Sequence, residues 1–137
     1  MLIFGIDPGI GITGYSLVEY ENNLKNDSFN LITSGSIQTN KNAPHPKRLL
    51  ELKNDIDFLI QKYKPDCASI EQLFFFKNQK TIIPVAQARG VILLSLEENN
   101  IPIFEYTPLV VKQTITGHGR ADKTEVKIMV KNYIDLD

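Results

Sequence analysis

The chain has 137 residues, of which 42% are hydrophobic and 23% are charged, and its formal net charge is −1. These values fit a single globular domain with one core, and they argue against a uniformly basic nucleic-acid binder. The sequence has no run of about eighteen apolar residues, so we expect no membrane span and no membrane partner. The single cysteine, Cys67, excludes an internal disulfide and fits a reducing compartment.

Three predicted strands open the chain. Apolar residues predict a buried strand at 2–7, which ends at Asp7 before a proline that keeps the backbone extended. Alternating polar and apolar residues predict two more strands, at 15–20 and 31–39. Short connections join these strands, and such connections are typical of an antiparallel meander.

Helices and strands alternate in the rest of the chain. Apolar residues recur at helical spacing from 49 to 63, and Pro65 ends this first predicted helix. The later elements are predicted as a strand at 67–73, a helix at 84–99 with Pro84 in its first turn, a strand at 103–106, and helices at 109–116 and 122–134. Helical connections between successive strands favour parallel pairing with right-handed crossovers.

This order predicts an α/β fold with an RNase H-like, five-stranded mixed sheet flanked by helices. Strands one to three are antiparallel, and strands four and five run parallel to strand one. Strand four is expected beside strand one, which brings Asp7 and Glu71 together at the carboxyl ends of neighbouring strands.

These two acids suggest a metal site. An isolated ionised carboxylate is costly to bury, and neither acid has an obvious basic partner beside it in the sequence. Carboxylate oxygens suit magnesium, and two divalent ions about 4 Å apart can activate water and stabilise a leaving oxygen in phosphodiester cleavage. From spacing alone a structural interpretation is equally open, with Asp7 capping a turn and Glu71 facing solvent.

Basic residues are concentrated near the end of the sequence. Five of them stand against two acidic residues between positions 112 and 131. The five are Lys112, Arg120, Lys123, Lys127 and Lys131. This local excess fits phosphate binding, although a solvated helix face has the same composition.

Several motifs occur together in one order along essentially the whole chain. They are Gly-Ile-Asp-Pro-Gly at 5–9, Thr-Gly-Tyr at 13–15, Ile-Glu-Gln at 70–72 with Phe74, Gln-Ala-Arg-Gly-Val at 87–91, and Lys-Gln-Thr at 112–114 continuing through Gly117 and Gly119 to Lys123. In these motifs the chain resembles the RuvC family of Holliday junction resolvases. The resemblance implies a homodimeric endodeoxyribonuclease of recombination and repair that nicks opposed strands of a four-way DNA junction, using two magnesium or manganese ions in each active site.

The resemblance also implies roles for single residues. Asp7 and Glu71 match two metal-binding catalytic acids, and Phe74 matches an aromatic residue that inserts against a base near the junction centre. Lys112 and Lys123 match lysines that hold DNA near the active site. Arg120 joins this DNA-binding set from its charge alone.

A dimer contact is expected on the second helix, at Ala86, Arg89 and Gly90. Small residues four positions apart allow another helix to approach closely. For Arg89 two roles stay open, anchoring this interface or pairing with an internal acid. The resemblance further implies a branch-migration helicase complex of the RuvA and RuvB type as partner, and a bacterial cytoplasmic location.

The family pattern has two further acids, in an Asp-x-x-Asp-Ala segment that opens a last helix, and Asp135 and Asp137 do not match them. We therefore expect residues 1–137 to be one RNase H-like nuclease domain that lacks its final helix, and the activity of this form is open. The alternative hypothesis is a non-catalytic, junction-binding dimer without the last two metal-binding acids. An RNase H-like nuclease acting on RNA is a third hypothesis, but it lacks the Phe74 and 87–90 features.

Overall fold

The computed structural model describes residues 1–72 and 79–134, without the side chain of Gln79. The elements in chain order are β1 (Leu2–Asp7), β2 (Ile12–Asn22), β3 (Asp27–Gln38), α1 (His45–Tyr63), β4 (Cys67–Glu71), α2 (Gln79–Glu98), β5 (Ile103–Tyr106), α3 (Pro108–Thr116) and α4 (Lys123–Tyr133). Their order is the one predicted from the hydrophobic periodicity. No helix in the described part of the chain is long and apolar enough to cross a membrane.

The strands form a single mixed sheet with the order β3-β2-β1-β4-β5. The central strand β1 pairs antiparallel with β2 and parallel with β4, and β5 pairs parallel with β4. The predicted fold class is therefore confirmed, including the placement of strand four beside strand one. This placement is what brings the ends of β1 and β4 to the same edge of the sheet.

The buried core lies between the sheet and the helices α1 and α2. Alternate residues of the central strands, such as Phe4, Ile6 and Leu17, contribute to it from the sheet. Helical spacing places the matching apolar residues of both helices on one side. These are Leu52, Ile56, Leu59 and Ile60 from α1, and Ala88, Ile92 and Leu96 from α2. The core therefore anchors β1 through its side chains on the face of the sheet that α1 and α2 cover.

Strands β2 and β3 are longer than predicted. Their pairing continues outward to Asn22 and Asp27, well beyond the core, and every residue from 21 to 30 is exposed. Backbone hydrogen bonds sustain this ribbon without burial, so its polar residues lack the alternation by which a half-buried strand is recognised. The aromatic rings of Tyr20 and Phe29, whose centroids are 5.2 Å apart, pack across the ribbon.

The predicted start of the second helix is wrong. The described part of α2 begins at Gln79, so Pro84 lies inside the helix and not in its first turn. A proline inside a helix removes one backbone hydrogen bond and crowds the preceding turn. The packing of Ala88, Ile92 and Leu96 against the sheet stabilises the helix after this proline, and the earlier turns extend from it. Local proline rules do not take such tertiary packing into account.

Candidate active site

Asp7 and Glu71 end the neighbouring parallel strands β1 and β4. The register pairs Ile6 with Ile70, so the next position on each strand carries one of the two acids. Both line one hollow of about 170 Å³, which we call the carboxylate hollow. Its other lining residues are Pro8, Gln72, Val85, Arg89 and Pro108. The structure thus brings together the two acids that the sequence singled out.

The turn after Asp7 has a tightly fixed backbone. The buried hydroxyl of Thr13 donates a hydrogen bond to the Gly9 carbonyl oxygen at 2.7 Å and accepts one from the Gly9 N–H at 3.2 Å. A Cβ atom at position 9 would collide with the carbonyl oxygen of Ile12, so the turn requires glycine there. The sequence motif around Asp7 is therefore explained by a close backbone approach as well as by the acid.

The electrostatic environment of Glu71 is set by burial and by its neighbours. Partial burial raises the pKa of the Glu71 carboxyl, and the negative charge of Asp7 raises it further. The positive charge of Lys112 acts in the opposite direction and lowers that pKa. These opposing contributions show that the two acids and the lysine influence one another, as the residues of one site do.

The two carboxylates fit a divalent cation. Within residues 1–72 and 79–134, neither Asp7 nor Glu71 forms an ion pair with a basic side chain. Two like charges that repel each other, without a salt-bridge partner in that part of the chain, are stabilised by a shared cation. Carboxylate oxygens are the hard ligands that magnesium and manganese prefer. No third histidine, cysteine, aspartate or glutamate joins them among the described residues.

A second hollow, of about 300 Å³, adjoins the first, because Glu71 and Pro108 line both. We call it the lysine hollow, since Lys112, Lys123 and Lys127 line its other side. Two of these lysines carry roles implied by the motifs, and Lys127 was notable only for its charge. Lys127 lies one helical turn after Lys123, and this spacing of four residues is the sequence signal that pairs them.

Helix caps place these lysines beside Glu71. The Thr107 hydroxyl accepts a hydrogen bond from the Val110 N–H at 3.1 Å and caps the start of α3, five residues before Lys112. Asp122 and Glu125 form a capping box that starts α4 at Lys123. The short segment between the two helices therefore fixes both lysines relative to each other.

The remaining predicted DNA-binding residues are Arg120 and Phe74. Arg120 is exposed in the segment between α3 and α4 and lines neither hollow. Phe74 lies outside the described residues, as do Asp135 and Asp137. Their roles stay predictions.

The predicted dimer residues lie on two sides of α2. Ala86 and Gly90 are exposed, in line with Ile83 and Leu94, which are 67% and 52% exposed. Arg89 points inward instead, where its Nη2 lies 3.0 Å from Oε1 of Glu105 on β5. The structure thus shows the internal ion pair that the sequence left open for Arg89, and the dimer contact stays a prediction.

Comparison with known proteins adds similarities of three kinds. The family model described as "Crossover junction endodeoxyribonuclease RuvC" matches residues 3–137. The curated protein of that name from Petrotoga mobilis is 49% identical over 100% of this chain and 82% of its own length. The one from Caldicellulosiruptor saccharolyticus is 48% identical over 99% of this chain and 80% of its own length. The solved structure "T. thermophilus RuvC in complex with Holliday junction substrate" has a TM-score of 0.91 at 28% identity, covering 100% of this chain and 81% of that one.

Proposed function

The chain belongs to the family of crossover junction endodeoxyribonucleases RuvC, and we propose from this premise that it resolves four-way DNA junctions by paired nicks. The observation that carries the proposal is the convergence of Asp7 and Glu71 beside a lysine-lined hollow. Acids that hold a cation and lysines that hold phosphate are the two requirements of a metal-dependent nuclease.

Asp7 and Glu71 would hold the metal, which we propose to be magnesium or manganese, with two ions in each active site. When bound, the cation supplies Lewis acidity, which polarises the scissile phosphate and lowers the pKa of an attacking water molecule. Glu71 would bind the cation as a carboxylate, and the positive charge of Lys112 favours that form because it lowers the pKa of Glu71.

The lysine hollow receives the DNA backbone. Lys112, Lys123 and Lys127 form no ion pair within the described part of the chain, so their charges are free to meet phosphate oxygens. A positive charge that lies beside the scissile phosphate also stabilises the negative charge that develops in the transition state. Arg120 extends this surface, and Phe74 stacks on a base near the junction centre.

Paired nicks need two copies of the site. We place a homodimer contact on the exposed face of α2, at Ala86 and Gly90, with Ile83 and Leu94 as its apolar rim. A two-fold axis then presents one active site to each of two opposed strands. A branch-migration complex of the RuvA and RuvB type is the proposed partner, and the bacterial cytoplasm is the proposed location.

A synthetic four-way junction with separately labelled strands tests the function. We expect magnesium-dependent nicks in two opposed strands, and a linear duplex of the same sequence should stay uncut. Asp7→Asn removes a charge but little volume, so it should lower the cleavage rate by more than about a hundredfold and leave the junction affinity within about twofold. Equal cleavage rates for wild type and Asp7→Asn would contradict the assignment of Asp7.

The alternative is a junction-binding dimer that does not cut. One observation favours it, namely that the described residues bring only two acids together. The same assay separates the two functions, because this alternative gives a retarded but uncut junction at every magnesium or manganese concentration.

A further inference from the structure

Thr39 also forms hydrogen bonds to the turn that directly follows Asp7. This residue follows β3, and its backbone N–H donates to the carbonyl oxygen of Gly11 at 3.1 Å. Its hydroxyl donates to the carbonyl oxygen of Ile10 at 2.5 Å. Thr13 already holds Gly9, so three successive residues of the turn are hydrogen-bonded.

Arg48 fixes the direction of the Thr39 hydroxyl. Its Nε donates to the Thr39 oxygen at 3.0 Å, across from α1 to the end of β3. A guanidinium group only donates, so it occupies a lone pair of that oxygen and leaves the single hydroxyl proton for Ile10. Thr39 is only 9% exposed, so water has little access to compete for this proton. The charge on Arg48 strengthens the whole chain of bonds.

The guanidinium of Arg48 serves no ion pair in the described part of the chain. The acid one turn away, Glu51, accepts instead from the backbone N–H of Asn40 at 3.0 Å. Arg48 lies against the turn itself, since a Cβ atom on Gly11 would be 3.6 Å from its Nη2. Helix α1 is held to the sheet by its own apolar residues, including Leu52 and Ile56, so it does not depend on this contact.

We propose that Thr39 and Arg48 are positioning residues, which hold the turn at residues 8–11 and thereby the carboxylate of Asp7. The inference rests on the proposed function for its effect on cleavage. A misplacement of about 1 Å in a catalytic group can cost about a hundredfold in rate. Removing the Thr39 hydroxyl leaves the Ile10 carbonyl unpaired and frees the turn to move.

Thr39→Val and Thr39→Ser form a matched pair for the test, because valine keeps the shape of threonine and serine keeps its hydroxyl. We expect Thr39→Val to lower the single-turnover cleavage rate about 10- to 100-fold, with junction affinity within about twofold and a higher magnesium concentration for half-maximal rate. Thr39→Ser should stay within about threefold of wild type. Thr33→Val, on the strand β3 that precedes Thr39, is the control, since the Thr33 side chain forms no hydrogen bond within residues 1–72 and 79–134.

Amide hydrogen exchange of the metal-free protein provides a readout that is independent of cleavage. The Gly9 N–H, which bonds to Thr13, should exchange about tenfold faster in Thr39→Val and in Arg48→Ala, while amides of the core strand β1 keep wild-type rates. Unchanged Gly9 exchange together with a wild-type cleavage rate would overturn the proposal. If Thr39→Val does not fold, Arg48→Ala and Arg48→Lys give the same comparison. A wild type that fails to cut the junction would refute the proposed function, and the exchange rates would still decide the positioning role.

Discussion

The negative charge of Asp7 acts on Glu71 across the parallel pair β1 and β4, and with burial it raises the pKa of the Glu71 carboxyl. Lys112 on α3 opposes this shift. The three groups come from three separate elements, and only the fold places them together. Their coupling makes the site testable without DNA.

The first prediction concerns this coupling. Asp7→Asn removes a charge that raises the pKa of Glu71, so we expect that pKa to fall. Lys112→Met removes the charge that lowers it, so we expect the opposite shift. Titration of the ¹³C-labelled Glu71 carboxyl by NMR, in the presence of a chelator, measures both changes. Shifts of the Glu71 pKa in the same direction in both variants would contradict this coupling.

The second prediction concerns stability against pH. The pKa of Glu71 is higher in the folded chain than its ordinary value, so the folded chain holds this proton more tightly. Glu71 therefore favours folding at low pH, and the contribution is lost as the pH rises from about 4.3 through the folded value. Without metal, Glu71→Gln should melt above wild type at neutral pH, and the gap should close near pH 4. Magnesium should raise the melting temperature of wild type more than that of the variant.

The third prediction concerns Lys127. It lines the lysine hollow, whereas Lys131, one turn later on α4, lines neither hollow described here. Lys127→Ala should weaken junction binding and reduce the slope of log Kd against log salt concentration by about 0.9, the value for one lost phosphate contact. Lys131→Ala is the matched control and should leave the slope unchanged. Identical slopes for the two variants would remove Lys127 from the DNA surface.

The fourth prediction concerns Gly9, in the active-site turn, and Gly14, which pairs with Asp7 from strand β2. Gly9→Ala places a Cβ atom against the Ile12 carbonyl oxygen and should cost about 1–3 kcal/mol of folding free energy. Gly14→Ala only brings a Cβ atom to 3.7 Å from that of Asp7, an ordinary contact, and should cost far less. Chemical denaturation of both variants gives the comparison. Equal losses would mean that the turn does not require glycine at position 9.

The fifth prediction uses Gly90 to distinguish effects on the stability of α2 from effects on the proposed dimer. A Cβ atom at Gly90 meets nothing within 4 Å in the single chain, so Gly90→Ala should stabilise the helix by about 0.5–1 kcal/mol. A close helix contact in a dimer has no room for larger side chains, so Gly90→Arg should give monomers in analytical ultracentrifugation and keep the fold. A dimer that tolerates arginine at this position would place the interface elsewhere.

The sequence predicted the strand order because each central strand carries its own hydrophobic pattern and each connection has a characteristic length. The family resemblance predicted from the motifs is confirmed, since the family model matches residues 3–137. The outer ribbon of β2 and β3 was predicted too short, because exposed strands such as residues 21–30 have no hydrophobic alternation. The start of α2 was missed because tertiary packing outweighs the local effect of Pro84.

Parts of the site lay beyond sequence reasoning for a different reason. The Arg48–Thr39–Ile10 chain joins helix α1 to two segments outside the helices and strands, and threonine hydroxyls carry no periodic signal. Likewise, the inward turn of Arg89 toward Glu105 depends on where β5 lies relative to α2. Hydrogen bonds between distant segments become visible only once the sheet order is known.

The shared cation at Asp7 and Glu71 is tested most directly by titrating Mn²⁺ into the protein while recording the ¹³C resonances of its carboxyl groups. Paramagnetic broadening should affect the Asp7 and Glu71 carboxyls together, at the same Mn²⁺ concentration, and should be removed by an excess of Mg²⁺. Broadening of only one of the two carboxyls, or of neither, would contradict a common metal site.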